Sequence, residues 1–336
     1  MAEPTTGDRA RDDEAHMARA VALAGSVHGA TAPNPWVGCV VVTAAGDRFE
    51  GATAPPGGPH AEVTALRAAG QLARGGTLYT TLEPCAHVGR TGPCADAVAD
   101  AGVARVVVGV LDPDPNVSGR GVALLREAGV AVDVGVGADA VTEQLAPYLK
   151  HRRTGRPWVV LKLAATMDGR TAAPDGSSRW ITGEAARRDV HRLRSRSDAV
   201  LVGAGTVRAD DPELTARTDP PPARQPLRVV LGQAPAGARV HPAVELSGDL
   251  DAVLVELGRR GVLQVLVEGG ATVAQEFHAR QLVDRYVLYL APALFGGDDG
   301  RPLFAGPGAP TMDGLWRGRL VSVAQLGADL RLELAA

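Results

Sequence analysis

The stretch TLYTTLEPCAHVGRTGPCADAVADAGVARVVVGV, residues 77–110, reads as a strand, a loop punctuated by Pro and Gly, a short helix and a second strand. Thr77 to Leu82 and Arg105 to Val110 carry apolar and β-branched runs suited to strands, and Cys94 to Ala101 has helical character. Strands alternating with short helices predict an α/β layer with helices on both faces. The same pattern extends outward. Asp12 to Gly29 and His60 to Leu72 read as helices, the second with Ala61, Ala65, Leu66 and Ala69 in an apolar stripe. Val37 to Thr43 is a strand, and Ala45-Gly46-Asp47 turns into another; Gly121 to Ala128 is a helix and Val130 to Val134 a last strand.

Residues 12–137 are therefore expected to close into one α/β/α domain. Residues 138–157 are more polar, carry the basic run Lys150-His151-Arg152-Arg153 and end in Gly-x-Pro, which predicts a linker. The pattern restarts over 158–336 as a second α/β domain. Its expected strands run from Trp158 to Ala164, Ala199 to Gly203, Leu227 to Leu231, Gln264 to Val267 and Asp284 to Leu290. Helices are expected from Glu184 to Arg196, Leu250 to Arg260 and Thr272 to Arg280, with a hairpin from Leu320 to Leu334. Between Leu231 and Leu250 the chain is short and rich in Pro, Ala and Gly, and no strand is expected there.

Composition excludes several classes. Lys plus Arg number 35 against 38 for Asp plus Glu, a formal charge of −3, so the basic footprint of a nucleic-acid binder is missing. No apolar run approaches the ~20 residues of a membrane span, and the polar, acidic leader is unlike a secretory signal. The three cysteines, Cys39, Cys85 and Cys94, are too sparse for a disulfide framework and read as reduced thiols in the cytoplasm.

The chemistry gathers in His60-Ala61-Glu62, Pro84-Cys85 and Pro93-Cys94. One imidazole and two thiolates form a three-ligand zinc set that leaves a fourth position for water. Two thiolates neutralise the ion, so a nearby base gains importance, and Glu62 stands two residues beyond His60 at a helix start. Cys94 sits at another helix start, where unpaired backbone N–H groups favour a thiolate. His87 is an alternative fourth ligand that would close the site. Cys39 reads as a small core residue. Zinc deaminases of nucleic acids carry H-x-E with P-C-x-x-C; here eight residues separate Cys85 from Cys94, which selects a different branch.

These motifs, with Thr31-Ala32-Pro33-Asn34-Pro35-Trp36-Val37-Gly38, resemble the bifunctional riboflavin-biosynthesis deaminase/reductases. Leu161-Lys162-Leu163, Met167-Asp168-Gly169-Arg170-Thr171, Arg179-Trp180-Ile181-Thr182, Ala209-Asp210-Asp211-Pro212 and Val267-Glu268-Gly269-Gly270 extend the resemblance to the C-terminus. It implies a cytidine-deaminase-like domain followed by a dihydrofolate-reductase-like domain. Zinc would serve the first and NADPH the second. The implied reactions are hydrolytic deamination of 2,5-diamino-6-(5-phosphoribosylamino)pyrimidin-4(3H)-one and reduction of its ribosyl group to ribityl.

The resemblance makes Glu62 the proton carrier, and Asn34, Arg90 and Asp112 contacts to the deaminase substrate. It assigns Ser178, Arg194, Leu214, Arg217 and Glu268 to the reductase substrate. Ala164, Trp180, Thr206, Asp210, Gly270, Ala271 and Thr272 go to the cofactor. Arginines suit a phosphate for their bidentate geometry, and Gly269-Gly270 opening a helix suits a cofactor phosphate. Lys162, polar in an apolar strand, is expected to face the reductase site. Small phosphorylated pyrimidines are the expected partners, with no nucleic acid or membrane; a homo-oligomer is left open.

Four departures stand out. Gly51-Ala52-Thr53 lacks the family's His before the HAE motif, and Asp112-Pro113-Asp114-Pro115 has an acid where an amide is usual. The spacer ends Thr91-Gly92-Pro93-Cys94, and the segment after Leu231 is short. The last motivates a rival reading, a monofunctional deaminase with a degenerate second domain. A zinc-stabilised nucleotide-binding module and a tRNA or free-base deaminase are two further rivals.

Overall fold

A computed structural model describes residues 6–86, 92–115 and 117–336. The chain divides into two compact units, Met1–Gly155 and Arg156–Ala336.

The first unit runs α1 (Thr6–Ser26), β1 (Gly38–Val42), β2 (Arg48–Ala52), α2 (Ala61–Ala69), β3 (Thr77–Leu82), α3 (Cys94–Asp100), β4 (Arg105–Val110), α4 (Arg120–Glu127), β5 (Ala131–Val134) and α5 (Ala138–Thr154). Its sheet has the order β2-β1-β3-β4-β5, with β1 antiparallel to both neighbours and β3, β4 and β5 parallel. Val106, Val107 and Val108 are buried, as a strand covered on both faces requires. The parallel pairing sets the carboxyl ends of β3 and β4 side by side, where open α/β sheets hold their ligands. Gly121 permits a tight approach there: a Cβ on it would lie 2.0 Å from the Pro84 carbonyl oxygen.

The segment predicted as a linker is instead the 17-residue helix α5, and it belongs to the first unit. Val141, Leu145, Tyr148 and Leu149 form its buried face, and the charged residues that suggested a connector lie at its C-terminal end, half-buried except for the exposed Arg153. Trp36 anchors it by donating its indole N–H to the Gln144 carbonyl at 3.2 Å.

A buried ion pair ties α1 to the sheet. Arg105 donates two bonds to the Asp13 carboxylate, both at 2.7 Å, and Tyr79 donates its hydroxyl at 2.8 Å. Burial pushes the Asp13 carboxyl up, but Arg105 and Tyr79 outweigh it and hold it below the usual value. A carboxyl depressed on folding adds stability that is present above its unfolded pKa near 3.9 and lost as pH falls through the folded value. Asp13→Ala, which leaves the buried guanidinium only the exposed Asp133 carboxylate, 2.6 Å from its Nε, is expected to cost about 3 kcal/mol at neutral pH by chemical denaturation, the low end for breaking a buried pair. That deficit should shrink below about pH 4.

The second unit runs β6 (Trp158–Thr166), β7 (Arg170–Ala172), α6 (Glu184–Ser195), β8 (Ala199–Gly203), α7 (Ala204–Asp210), β9 (Leu227–Leu231), β10 (Val244–Leu246), α8 (Leu250–Arg259), β11 (Gln264–Val267), α9 (Ala271–Ala279), β12 (Arg285–Ala291), β13 (Arg301–Pro302), β14 (Arg319–Leu326) and β15 (Asp329–Ala335). Eight strands form one sheet, β10-β9-β8-β11-β6-β12-β15-β14, parallel from β10 to β12 and closed by the antiparallel hairpin β14–β15. Alternate residues feed two cores. Val159, Leu161 and Leu201 pack with Leu254, Leu257 and Phe277, whereas Val160, Val200 and Val202 pack with Ala186 and Val207.

The absence of a strand between Leu231 and Leu250 is not borne out. Val244–Leu246 pairs parallel with β9 as the sheet edge. Three residues are too few to show an alternating pattern, and this strand is defined by its neighbour. Among the described residues, no helix is long and apolar enough to cross a membrane.

Candidate active sites

The ends of β3 and β4 and the start of α2 converge on a cavity of about 390 Å³ in the first unit. His60 precedes α2 in extended conformation, Cys85 follows β3 and Cys94 opens α3. Their donor atoms lie within 4.8 Å of one another. His60 Nδ1 is 3.1 Å from Cys94 Sγ and 3.6 Å from Cys85 Sγ. Ligands about 2.0–2.3 Å from a tetrahedral zinc are about 3.5 Å apart, so these spacings suit that ion.

The charges suit it as well. The Cys94 thiol hydrogen-bonds to the Cys85 sulfur, and His60 and the Cys94 backbone N–H, which donates at 3.3 Å, add to it; together they outweigh burial and hold the Cys85 thiol well below its usual value. Cys94, bonded to that sulfur, is pushed up. Two sulfurs and an imidazole sharing few protons form a donor set that a divalent cation completes by displacing those that remain. His87 lies outside the described residues.

Glu62, in the first turn of α2, is buried and lines the same cavity. Burial pushes its carboxyl up to about 7. Asn34 lines the wall, in a turn where its N–H donates to the Thr31 carbonyl at 2.9 Å. Asp112 lines it too. One Asp112 oxygen accepts the Tyr148 hydroxyl at 2.9 Å and the other the Asp114 N–H at 2.9 Å. Arg90 lies outside the described residues. Thr53, where a His was expected, lines the wall with its Oγ1 accepting the Val37 N–H at 3.0 Å.

Sequence reasoning gave no role to Glu83, Tyr148 or Arg152, all in the cavity wall. Glu83 is buried and accepts N–H bonds from Asp112, Gly119 and Val122 at 2.9–3.2 Å, which fixes the loop after β4. The periodic set Val141, Leu145, Tyr148 and Arg152 was the signal available for the other two.

In the second unit Glu268 stands immediately after β11. Arg194, in the last turn of α6, grips it with two bonds at 2.6 and 3.0 Å, and Lys162 Nζ is 3.8 Å away. Lys162, expected to face the reductase site, lies beside Glu268. Burial raises the Glu268 carboxyl, but Arg194 and then Lys162 outweigh it and hold it low; burial pulls Lys162 down. Arg194 also donates to the Thr215 carbonyl at 3.1 Å.

Other expected contacts are more scattered. Arg217 is exposed and pairs with Glu213 at 2.9 Å, not with Glu268. Ser178 lies in the loop between β7 and α6. The Leu214 side chain is buried in the core with φ +54°, so its backbone is what it can offer a ligand.

Ala164 is on β6, and Thr206 and Asp210 are on α7. Thr206 Oγ1 accepts the Gly270 N–H at 3.2 Å, which joins α7 to the start of α9. α9 has no side-chain cap, so Ala271 and Thr272 present its first turn with the open N–H groups that suit a cofactor phosphate. Trp180 is 70% exposed, with the Arg187 guanidinium 4.6 Å from its ring.

Comparison with known proteins covers both units. Residues 10–110 match the family described as the cytidine and deoxycytidylate deaminase zinc-binding region, and residues 157–332 match the RibD C-terminal domain. The chain is 39% identical to the riboflavin biosynthesis protein RibD of Escherichia coli (strain K12), covering 96% of this chain and 99% of that one. It is 44% identical to RibD of Mycobacterium tuberculosis (strain H37Rv), over 96% and 97%. The solved structure of Acinetobacter baumannii RibD superposes with a TM-score of 0.91 at 39% identity, covering 97% and 99%. A diaminohydroxyphosphoribosylaminopyrimidine deaminase/5-amino-6-(5-phosphoribosylamino)uracil reductase from Thermotoga maritima gives 0.89 at 35%, with the same coverage. With a zinc donor set in one unit and a RibD-type reductase sheet in the other, the chain belongs to the RibD family, the bifunctional zinc-dependent deaminases and NADPH-dependent reductases of riboflavin biosynthesis.

Proposed function

We propose that the first unit deaminates 2,5-diamino-6-(5-phosphoribosylamino)pyrimidin-4(3H)-one and that the second reduces the ribosyl group of the product to ribityl. The observation that carries this is the convergence of His60, Cys85 and Cys94 beside a buried, non-ligating carboxylate in one cavity. Zinc held by those three residues supplies a Lewis acid that brings the pKa of a water toward about 7. Glu62 would take one proton of that water and pass it to a ring nitrogen, then take the remaining proton of the added hydroxyl and deliver it to the amino group, which leaves as ammonia as the carbonyl forms. A carboxyl raised to about 7 is suited to both tasks. Asn34 and Asp112 orient the pyrimidine, and Arg90 belongs with them on sequence grounds.

In the second unit NADPH, when bound, would supply the hydride for reduction at C1′ of the ribosyl group. Glu268 holds the reacting sugar, with Arg194 and Lys162 fixing its carboxylate. Ser178, Leu214 and Arg217 complete the ribose-phosphate contacts, and Ala164, Trp180, Thr206, Asp210 and the Gly270–Thr272 turn hold the cofactor. The complete sheet, β10 included, removes the motive for a degenerate second half. Small phosphorylated pyrimidines are its partners, and three free cysteines suit a reducing cytoplasm.

Incubating the protein with the diaminopyrimidine ribotide and NADPH should release ammonia and oxidise NADPH in equal amounts, with one zinc per chain by metal analysis. Ammonia without NADPH oxidation would reduce the reading to its deaminase half.

A further inference from the structure

The basic run at the end of α5 has no part in the roles above, yet one of its members enters the deaminase cavity. Arg152 lines that cavity one turn beyond Tyr148, its guanidinium carbon 5.0 Å from the Tyr148 ring centroid. The ring is itself fixed, since the Tyr148 hydroxyl donates to Asp112 at 2.9 Å. Arg152 Nε lies 3.7 Å from an Asp114 oxygen, too far for a hydrogen bond. That Nε is buried and has no hydrogen-bond partner among the described residues. A buried guanidinium N–H without an acceptor is costly, and such groups mark places where a ligand completes the bonding.

The charge of the wall points the same way. Glu62, Glu83, Asp112 and Asp114 bring four carboxyl groups to the cavity, and Arg152 is the one Lys or Arg among its described lining residues. A substrate bearing a phosphate enters such a wall only where a cation meets it. We infer that Arg152 binds the phosphate of the deaminase substrate, stacked on Tyr148 and with Asp114 as the counter-charge that the phosphate displaces. The inference rests on the substrate class proposed above. Arginine suits this task, because its planar fork can rest on an aromatic ring and still offer paired N–H donors to phosphate oxygens.

The test compares the phosphorylated substrate with its dephosphorylated ribosylamino counterpart in the zinc-loaded full chain. Arg152→Gln should raise KM for the phosphorylated substrate by about 10–100-fold, the range for losing a hydrogen bond to a charged group, with kcat little changed. Kinetics on the dephosphorylated substrate should stay as in wild type, and Arg152→Lys should recover part of the loss. Inorganic phosphate should inhibit the wild-type deaminase competitively and lose that effect in Arg152→Gln. NADPH oxidation with the deaminated ribotide, unchanged in both variants, checks folding. An equal loss on both substrates, or an unchanged KM, would overturn the assignment. A wild-type chain that deaminates neither compound would overturn the substrate reading, and this assignment with it.

Discussion

Glu62→Gln lowers deaminase turnover by about 10²–10⁴-fold, the span of general acid–base catalysis, and leaves zinc content, and NADPH oxidation with the deaminated ribotide supplied, at wild-type levels. The amide keeps the shape of the buried side chain but cannot accept or return a proton. Glu62 is also no member of the donor set formed by His60, Cys85 and Cys94, so the metal should stay. Ammonia release and metal analysis on the same sample separate the two properties. A variant that loses its zinc would show the carboxylate to be a ligand. A strong chelator gives the complementary result, removing deamination while the second unit still oxidises NADPH when given the deaminated ribotide.

The raised carboxyl adds a pH signature to this variant. Because the folded-state value, about 7, lies above the unfolded one near 4.3, the folded chain holds the extra proton between them and loses stability as pH rises through that window. Metal-free Glu62→Gln should therefore be more stable than metal-free wild type at pH 8, and the two should converge near pH 4.

Glu268→Gln should abolish most of the reductase activity and weaken the second unit, with the deaminase intact. The carboxylate is the shared counter-charge of two largely buried cations, Arg194 at 2.6 Å and Lys162 at 3.8 Å. Removing one member of a buried ion cluster costs about 3–5 kcal/mol. Displacing groups around a reacting centre by about 1 Å can cost 10²-fold in rate. The Glu268 pKa is depressed on folding, so its contribution is present above about pH 4.3 and lost in acid. The variant's deficit should thus be full at neutral pH and shrink as acid protonates the wild-type carboxyl. Denaturation curves at pH 7 and pH 3.5 read this, and Glu268→Asp should lose less than Glu268→Gln. Equal stability of Glu268→Gln and wild type at pH 7 would refute the shared counter-charge.

What could be read from the sequence was what is local. Leu227–Leu231, Gln264–Val267 and Ala199–Gly203 are short, apolar and bounded by turn residues, and they form strands over those bounds. The zinc donors sit in tight Pro-Cys and His-x-Glu groups, so their chemistry is visible before any folding. What escaped depends on partners far along the chain. Tyr148 meets Asp112 across 36 residues and Arg194 meets Glu268 across 74; one chain gives no sign of such pairings. The amphipathic face of α5 lay beneath a polar average, and β10 is too short to have a period. The resemblance named Arg194 and Glu268 separately, but their grip on each other came only with the fold.

Helix α5 has a consequence for dissecting the chain. A deaminase fragment ending at residue 137, the limit suggested by its polar continuation, would lack the tyrosine that restrains Asp112 and would bare the oily flank on which the helix rests. Fission that spares the first activity must fall after Gly155. Gene fusions, split reporters and protease nicks aimed at parting the two catalysts should be placed at that glycine and not upstream of it.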